Sequence, residues 1–219
     1  MEHRPSTHAT SYAFAEILKL ADNFAQELTA PGARCQVPVI LAVTAVEALL
    51  SDLPHLRGRY GKDEGVATPG STGERAKRMR LRDRLGETSL LVTGKSLAAG
   101  RDPYQGFSIL VELRNAIVHR KPEEWLEQPD GEKTPVGKLP GFVQYLSKVA
   151  PGAVTVQDLL TPGVARWAVL AAGGIVEHFL LGAGEKDPTL AFVLAALLQP
   201  HFGGDGRGSD GLEGAERGA

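Results

Sequence analysis

The chain has 219 residues, 42% of them apolar and 23% charged, with 24 Lys and Arg side chains against 26 Asp and Glu. This length predicts one domain with a substantial core, and the formal net charge of −2 gives no overall attraction to nucleic acid or membranes. The one cysteine, Cys35, excludes an internal disulfide framework and is typical of a reducing cytosol.

Neither a signal peptide nor a membrane span is predicted. Residues 1–11 contain no apolar core of the kind that a signal peptide requires. The two longest apolar runs, 37–53 and 164–181, carry charged residues or are too short for a span. We therefore expect a soluble cytoplasmic protein that has no membrane partner.

Helical spacing of apolar residues recurs along the chain, without a convincing strand alternation and without an internal repeat. Turn and capping residues bound the segments, such as Pro31-Gly32 after the first helix and Thr161-Pro162 before the last long one. The predicted helices are 10–30, 37–53, one that begins at Ser71 and breaks near Gly86, 102–120, 139–149, 162–181 with Gly182 at its end, and 188–199.

The predicted fold class is therefore all-α, with a single helical domain over residues 1–202. Residues 203–219 contain seven Gly in seventeen positions and few apolar residues, so we expect a disordered tail. Gly173-Gly174, inside the last long helix, predicts either the close approach of another helix or a bend.

The segment 37–53 is apolar on almost every face, which is typical of a central helix. Thr44 and Glu47 are its polar residues before Ser51. A carboxylate in such a helix must be protonated or paired, and Arg114 offers a partner. We expect Glu47 and Arg114 to form a buried or half-buried ion pair.

The helix over 102–120 begins with a favourable N-cap, Asp102, and with Pro103 at the first helical position. Its apolar residues form a wide arc, and Arg114 lies inside that arc. Asn115 and His119 are one turn apart on the remaining narrow polar face. Val111 and Val118 flank that face, so we expect this edge at or near a two-fold interface.

Ser71 and Glu74 have the spacing of a capping box, and a basic strip follows them. From 75 to 84 it has six cations and one anion, a net +5, and its basic members are Arg75, Lys77, Arg78, Arg80, Arg82 and Arg84. A solvated helix face is the interpretation that we favour. The alternative is a set of contacts to RNA backbone phosphates.

Signatures of cofactor, metal and acyl-transfer chemistry are absent, including GxxxxGK[ST], GxGxxG after a strand, HExxH and paired CxxC. The histidine spacing supports no metal cluster, and Glu177-His178 is expected to face water. We therefore predict no metal and no cofactor.

The pattern Arg114-Asn115-x3-His119 resembles the R-[polar]-x3-H signature of the HEPN superfamily, helical domains many of which are metal-independent ribonucleases. Residues 45–50 (AVEALL) resemble a second-helix segment of bacterial HEPN-like proteins. A further block resembles uncharacterised members, namely Thr93-Gly94-Lys95, Pro103-Tyr104-Gln105-x-Phe107 and residues 113–122. The resemblance covers about 37–122, and the stretches 54–70 and 121–135 are longer than in compact HEPN toxins.

The resemblance implies a HEPN-like bundle with a four- to five-helix core, paired as a homodimer that brings two R-x4-H motifs into one cleft. It implies that His119 transfers protons and that Arg114 stabilises the phosphate. Asn115, one turn from His119, is placed to orient either that histidine or the scissile phosphate, and we expect Glu47 to support Arg114. An RNA endonuclease of a defence or toxin–antitoxin system, with an antitoxin or nucleotidyltransferase partner, is one hypothesis. A non-catalytic module that binds nucleotide, RNA or protein is the other.

Overall fold

Helices make up almost all of the regular structure in the computed structural model, which describes residues 13–60, 79–119, 125–127, 133–135 and 141–202. They are α1 (Ala13–Glu27), α2 (Gln36–Tyr60), α3 (Leu81–Thr93), α4 (Tyr104–Val118), α5 (Gly141–Leu146), α6 (Pro162–Lys186) and α7 (Pro188–Phe202), with a 3-10 turn at Ala33–Cys35. The all-α class is confirmed for these residues.

Two short strands were not predicted. Strands β1 (Trp125–Glu127) and β2 (Lys133–Pro135) pair in antiparallel fashion, with Leu126 opposite Thr134. They lie in the stretch that the sequence presents as a polar loop, and three residues per strand are too few to show an alternation of apolar and polar side chains.

Helices α2 and α6 form the centre of the core. Helix α2 packs against α1, α3, α4 and α6, and α6 also contacts α1, α3, α4 and α7. Apolar side chains of α2 are buried on most of its circumference, including Val39, Val43, Val46, Leu49, Leu50 and Leu53. This position accounts for a sequence that is apolar on almost every face.

Two helical stretches, Ala33–Arg57 and Pro162–Lys186, are long and apolar enough to cross a membrane by length and composition alone. Their most apolar windows are 53% and 44% buried inside the protein, as the core helices of a bundle would be. Both stretches contribute to the shared core.

Helix α2 extends further than predicted, because it continues through Pro54 to Tyr60 instead of ending at Leu53. Proline removes one helical hydrogen bond. Leu53 and Leu56, on either side of it, are fully buried, and burying two leucines offsets that loss by about 1.5–3 kcal/mol each.

Helix α6 begins as predicted and ends later. The Thr161 hydroxyl accepts a hydrogen bond from the Val164 amide at 3.2 Å. The helix continues past Gly182 to Lys186, so the prediction of Gly182 as its end is wrong. A Cβ on Gly182 would lie 2.5 Å from the Cβ of Thr93, which shows that this glycine admits the end of α3.

The two adjacent glycines of α6 differ. A Cβ on Gly174 would lie 3.2 Å from Pro103 Cβ, so the predicted close approach of a neighbouring helix is confirmed there. A Cβ on Gly173 would meet no atom within 4 Å in the described part of the chain.

Helix α3 begins at Leu81, and Arg80, its N-cap residue, is extended with φ −63° and ψ 145°. A continuous helix from Ser71 is therefore wrong at 79–80. Gly86 does not break α3, and Gly94, with φ 70°, ends it in the left-handed conformation that glycine favours. The predicted cap at Ser71 and Glu74 and the predicted tail over 203–219 lie outside the described residues.

Candidate functional site

Helix α4 carries the R-x4-H motif and is fixed at its first turn. The Asp102 carboxylate caps it by accepting a hydrogen bond from the Gly106 amide at 3.0 Å, although the helix itself begins at Tyr104, two residues after the expected cap. Phe107, Leu110 and Leu113 are fully buried. These core contacts set the rotation of α4 and therefore the directions of Arg114, Asn115 and His119.

Arg114 and Glu47 form the predicted ion pair. Arg114 Nη2 lies 2.6 Å from Glu47 Oε1, and the two side chains are 23% and 39% exposed, respectively. The pair is therefore half-buried. It links α4 to the central helix α2, and a guanidinium with one anchored nitrogen keeps other N–H groups for an additional anion.

A second set of polar contacts extends this link to α3. The Arg84 guanidinium donates to the Ser51 hydroxyl at 2.9 Å, and that hydroxyl donates to the Glu47 carbonyl at 2.9 Å. Arg82 Nη2 lies 2.7 Å from Glu112 Oε1 and 3.1 Å from the Ser108 carbonyl. These contacts tie α3 to α2 and α4.

The basic strip therefore has different roles along its length. Arg82 and Arg84 are half-buried and engaged by neighbouring helices, whereas Arg80 is exposed. Arg75, Lys77 and Arg78 lie outside the described residues. Sequence reasoning missed Glu112 as the partner of Arg82, and the signal available was a carboxylate on the narrow polar face of the motif helix.

Asn115 and His119 are both exposed. Helix α4 ends at Val118 rather than near Arg120, and His119 is its C-cap, with φ −107° and a backbone N–H that donates to the Asn115 carbonyl at 2.9 Å. Within the described residues, neither side chain has a hydrogen-bond partner. The imidazole can accordingly reach a ligand and exchange protons with it.

The apolar residues beside this face are only partly as expected. Val118 is 51% exposed, whereas Val111 is 7% exposed and belongs to the core. The expectation that both valines flank an exposed edge is therefore wrong for Val111. Of these two valines, only Val118 exposes apolar surface, and it lies beside His119 at the end of α4.

Another histidine, His178 on α6, lies in a polar cluster at the junction with α3. Its Nε2 is 2.8 Å from the hydroxyl of Ser89, which is fully buried, and that hydroxyl donates to the Lys95 carbonyl at 2.7 Å. The expectation that Glu177-His178 faces water is therefore wrong for His178. Glu177 is exposed.

This serine–histidine pair does not have the arrangement of a nucleophile and its base. A hydroxyl has one proton, and when Ser89 gives it to the Lys95 carbonyl, His178 Nε2 must carry a proton to bond the same oxygen. Burial, and to a lesser degree the charge of Lys95, lowers the pKa of His178. The cluster fastens α3 to α6.

Asp52, which the sequence did not single out, is a half-buried residue with a buried carboxylate oxygen. Its Oδ2 has no hydrogen-bond partner in the described part of the protein. Burial raises the pKa of this carboxyl, and His55 opposes the shift. Raised carboxyl pKa values occur at functional sites, but no described contact joins Asp52 to Arg114, Asn115 or His119.

In the described residues, no group of three or more His, Cys, Asp or Glu side chains is placed to hold a metal ion. Comparison with protein families, with curated proteins and with solved structures finds no match to this chain. The HEPN resemblance therefore stays a prediction that rests on the motif residues.

Proposed function

We propose that this protein is a metal-independent RNA endonuclease with a HEPN-like bundle, acting in the cytoplasm on single-stranded or loop RNA. One observation carries the proposal: an exposed amide, Asn115, directly follows an arginine that a carboxylate holds in place, and an exposed imidazole, His119, lies one helical turn beyond that amide. Together these residues supply a proton carrier, a hydrogen-bonding group and a fixed cation.

The reaction assigned to these residues is transesterification within RNA. The ribose 2′-oxygen attacks the adjacent phosphorus, the bond from phosphorus to the 5′-oxygen breaks, and the products carry a 2′,3′-cyclic phosphate and a 5′-hydroxyl. His119 accepts the proton of the 2′-hydroxyl or delivers a proton to the leaving 5′-oxygen. Arg114 neutralises the charge that develops on the phosphate oxygens, and Asn115 orients the phosphate.

The reaction needs two imidazoles in different protonation states, because the general base must be neutral and the general acid must be charged. A homodimer joined near Val118 would supply one His119 in each state. Val118, 51% exposed beside the histidine, supports this arrangement. Arg80, exposed at the start of α3, would add attraction for the RNA backbone. If the nuclease acts in a defence or toxin–antitoxin system, as we propose, its partner is an antitoxin or a nucleotidyltransferase.

The test is cleavage of loop-containing RNA in EDTA by the wild type, His119→Ala and Asn115→Ala. Loss of a general acid or base should lower the rate about 10²–10⁴-fold while RNA affinity stays nearly unchanged. His55→Ala, which removes another exposed histidine, is the matched control and should cleave normally. Equal inertness of the wild type and His119→Ala on varied RNAs would remove the catalytic proposal.

A non-catalytic RNA- or protein-binding module is the second candidate. It is favoured by the absence, within the described residues, of any group that orients the His119 ring, and by the engagement of Arg114 with Glu47. In that case RNA binding would weaken with salt and no cyclic phosphate would appear.

A further inference from the structure

The outward face of α6 exposes large apolar side chains. Leu170 is 73% exposed and Leu181 is 63% exposed, in a helix whose other faces pack against α1, α2, α3, α4 and α7. At 100° per residue, the stripe from about 60° on one side of Leu170 to about 20° on the other contains these leucines, Arg166, Gly173 and Glu177, between the terminal glycines Gly163 and Gly184. We call the two leucines, Arg166, Gly173 and Glu177 the α6 stripe. Further round on the second side the helix is covered, since Gly174 lies against Pro103.

The charges of the α6 stripe distinguish between the surfaces that could cover it. Arg166 and Glu177 are both exposed, and neither has a partner among the described residues. Two opposite charges 11 residues apart, about 16 Å along the axis, are costly inside a bilayer. They are self-complementary, however, when a second copy of the same helix lies antiparallel.

From this complementarity we propose that α6 pairs with α6 of a second copy of this chain. A two-fold axis midway between Arg166 and Glu177 places each arginine opposite the glutamate of the other copy. The same axis places Leu170 opposite Gly173, because the two pairs share one midpoint. A Cβ on Gly173 would meet nothing within 4 Å in the described chain, so the position is open to an incoming leucine.

This interface is separate from the edge that the proposed nuclease function uses. Helix α4 contacts the middle of α6 through its N-terminal end, since Gly106 lies near Ala171 and Pro103 near Gly174. His119 is at the opposite end of α4, about 20 Å further along that helix. The α6 dimer therefore stands or falls independently of RNA cleavage.

The test is the association state of the full chain by sedimentation equilibrium. One pair of helices buries less than a standard interface, so we expect the α6 pairing to have a Kd in about the micromolar range. The variants are compared in a Val118→Asp background, in which the separate interface proposed near Val118 does not contribute to association. Leu170→Asp should weaken the α6 pairing at least about tenfold, because it buries carboxylates in the dimer. The matched control is Leu90→Asp, at a leucine that is 58% exposed on α3. This variant should leave the association constant unchanged.

Charge reversal tests the antiparallel register. Chains that carry only Arg166→Glu or only Glu177→Arg should be monomeric, because like charges then face each other across the two-fold axis. An equimolar mixture of these two variants should associate as a heterodimer, since every facing pair is again opposite in charge. The double variant Arg166→Glu/Glu177→Arg should associate like the wild type, and Arg34→Glu, at another exposed arginine, should leave association unchanged.

Three results would overturn the proposal. The first is a wild-type chain that is monomeric at about millimolar concentration. The second is an association that Leu170→Asp leaves unchanged in the Val118→Asp background, which would place the interface away from the α6 stripe. The third is single charge variants that dissociate and stay apart when mixed, which would exclude the antiparallel register. Circular dichroism of each variant confirms that a loss of association is not a loss of folding.

Discussion

Two histidines of this protein, His119 and His178, lie in opposite environments. His119 ends α4, is exposed and has no side-chain partner among the described residues. His178 is half-buried and bonded to Ser89, whose hydroxyl is itself bonded to the Lys95 carbonyl. The sequence predicts that both histidines face solvent, which is correct for His119 and wrong for His178.

The difference shows how to separate a structural polar group from a functional one. At the α3–α6 junction the hydrogen bonds are mutual, because Ser89, Thr93 and His178 all bond within the cluster. At the end of α4, Arg114 is anchored, while Asn115 and His119 are exposed and have no side-chain partner in the part of the chain that the structure describes. A group that already has its partners stabilises the fold, whereas an unpartnered group at the surface is available for chemistry.

The largest effect on stability is expected at the junction. Gly182→Ala would place a Cβ 2.5 Å from Thr93 Cβ, and Thr93 is buried with its hydroxyl held by the Ser89 carbonyl at 2.8 Å. Because the neighbour cannot yield, the free energy of unfolding should fall by about 1–3 kcal/mol. Urea titration measures it.

Gly86→Ala is the matched control for that substitution. Gly86 lies within helix α3, and a Cβ there meets no atom within 4 Å in the described chain. Alanine should therefore raise the free energy of unfolding by about 0.5–1 kcal/mol, as helix propensity predicts. If both variants destabilised the protein equally, the close contact at Gly182 would not be the cause.

The Glu47–Arg114 pair should have a smaller effect. A fully buried pair would lose about 3–5 kcal/mol when one partner is removed. These side chains are 39% and 23% exposed, so we expect Glu47→Gln to lower the free energy of unfolding by about 1–2 kcal/mol. Arg114→Ala should lose somewhat more, because its aliphatic stem also packs.

An exposed ion pair provides the comparison for this prediction. Lys95 and Glu185 lie 2.6 Å apart but are 56% and 60% exposed. Glu185→Gln should therefore change the free energy of unfolding by no more than about 0.5 kcal/mol. Thermal melts of Glu47→Gln and Glu185→Gln that shift by the same amount would contradict a stabilising role for the α2–α4 pair.

The helices could be predicted from the sequence because apolar residues recur with the helical period. The same period shows that Glu47 and Arg114 each lie on an otherwise apolar helix face, where a charge needs a partner. Apolar spacing located every described helix, and the two charges interrupted otherwise apolar faces. The ends were less predictable, since tertiary burial of Leu53 and Leu56 carries α2 through Pro54.

Other contacts between distant segments could not be predicted, because their members do not interrupt an apolar helix face as Glu47 and Arg114 do. Ser89 and His178 are 89 residues apart, and Arg82 and Glu112 are 30 apart. Neither member of the first pair interrupts an apolar pattern strongly enough to demand a partner. Gly182 looked like a helix end because a glycine that admits a neighbour and a glycine that ends a helix look alike in one dimension.

The smallest of these effects is a dependence of stability on pH, which comes from His178. Burial and the charge of Lys95 lower the pKa of its imidazole below the ordinary value of about 6.5. The folded chain therefore binds fewer protons than the unfolded chain below that pH. The free energy of unfolding should fall as the pH decreases through 6.5 towards the lowered pKa, and this contribution should be complete at neutral pH.

The hydrogen bonds specify where that proton would go. Because Nε2 already donates to the Ser89 hydroxyl, protonation of the ring adds a proton at Nδ1 and leaves the bond to Ser89 in place. The free-energy cost of protonating His178 then comes from its burial and from the charge of Lys95. Because the imidazole is only half-buried, water reduces that cost. Urea titrations between pH 8 and about 5.5 should show a steeper loss for the wild type than for His178→Gln, whereas His119→Gln, at a histidine that is exposed and has no side-chain partner among the described residues, should follow the wild type. Parallel pH curves for the wild type and His178→Gln would contradict the lowered pKa and leave His178 as a neutral spacer between α3 and α6.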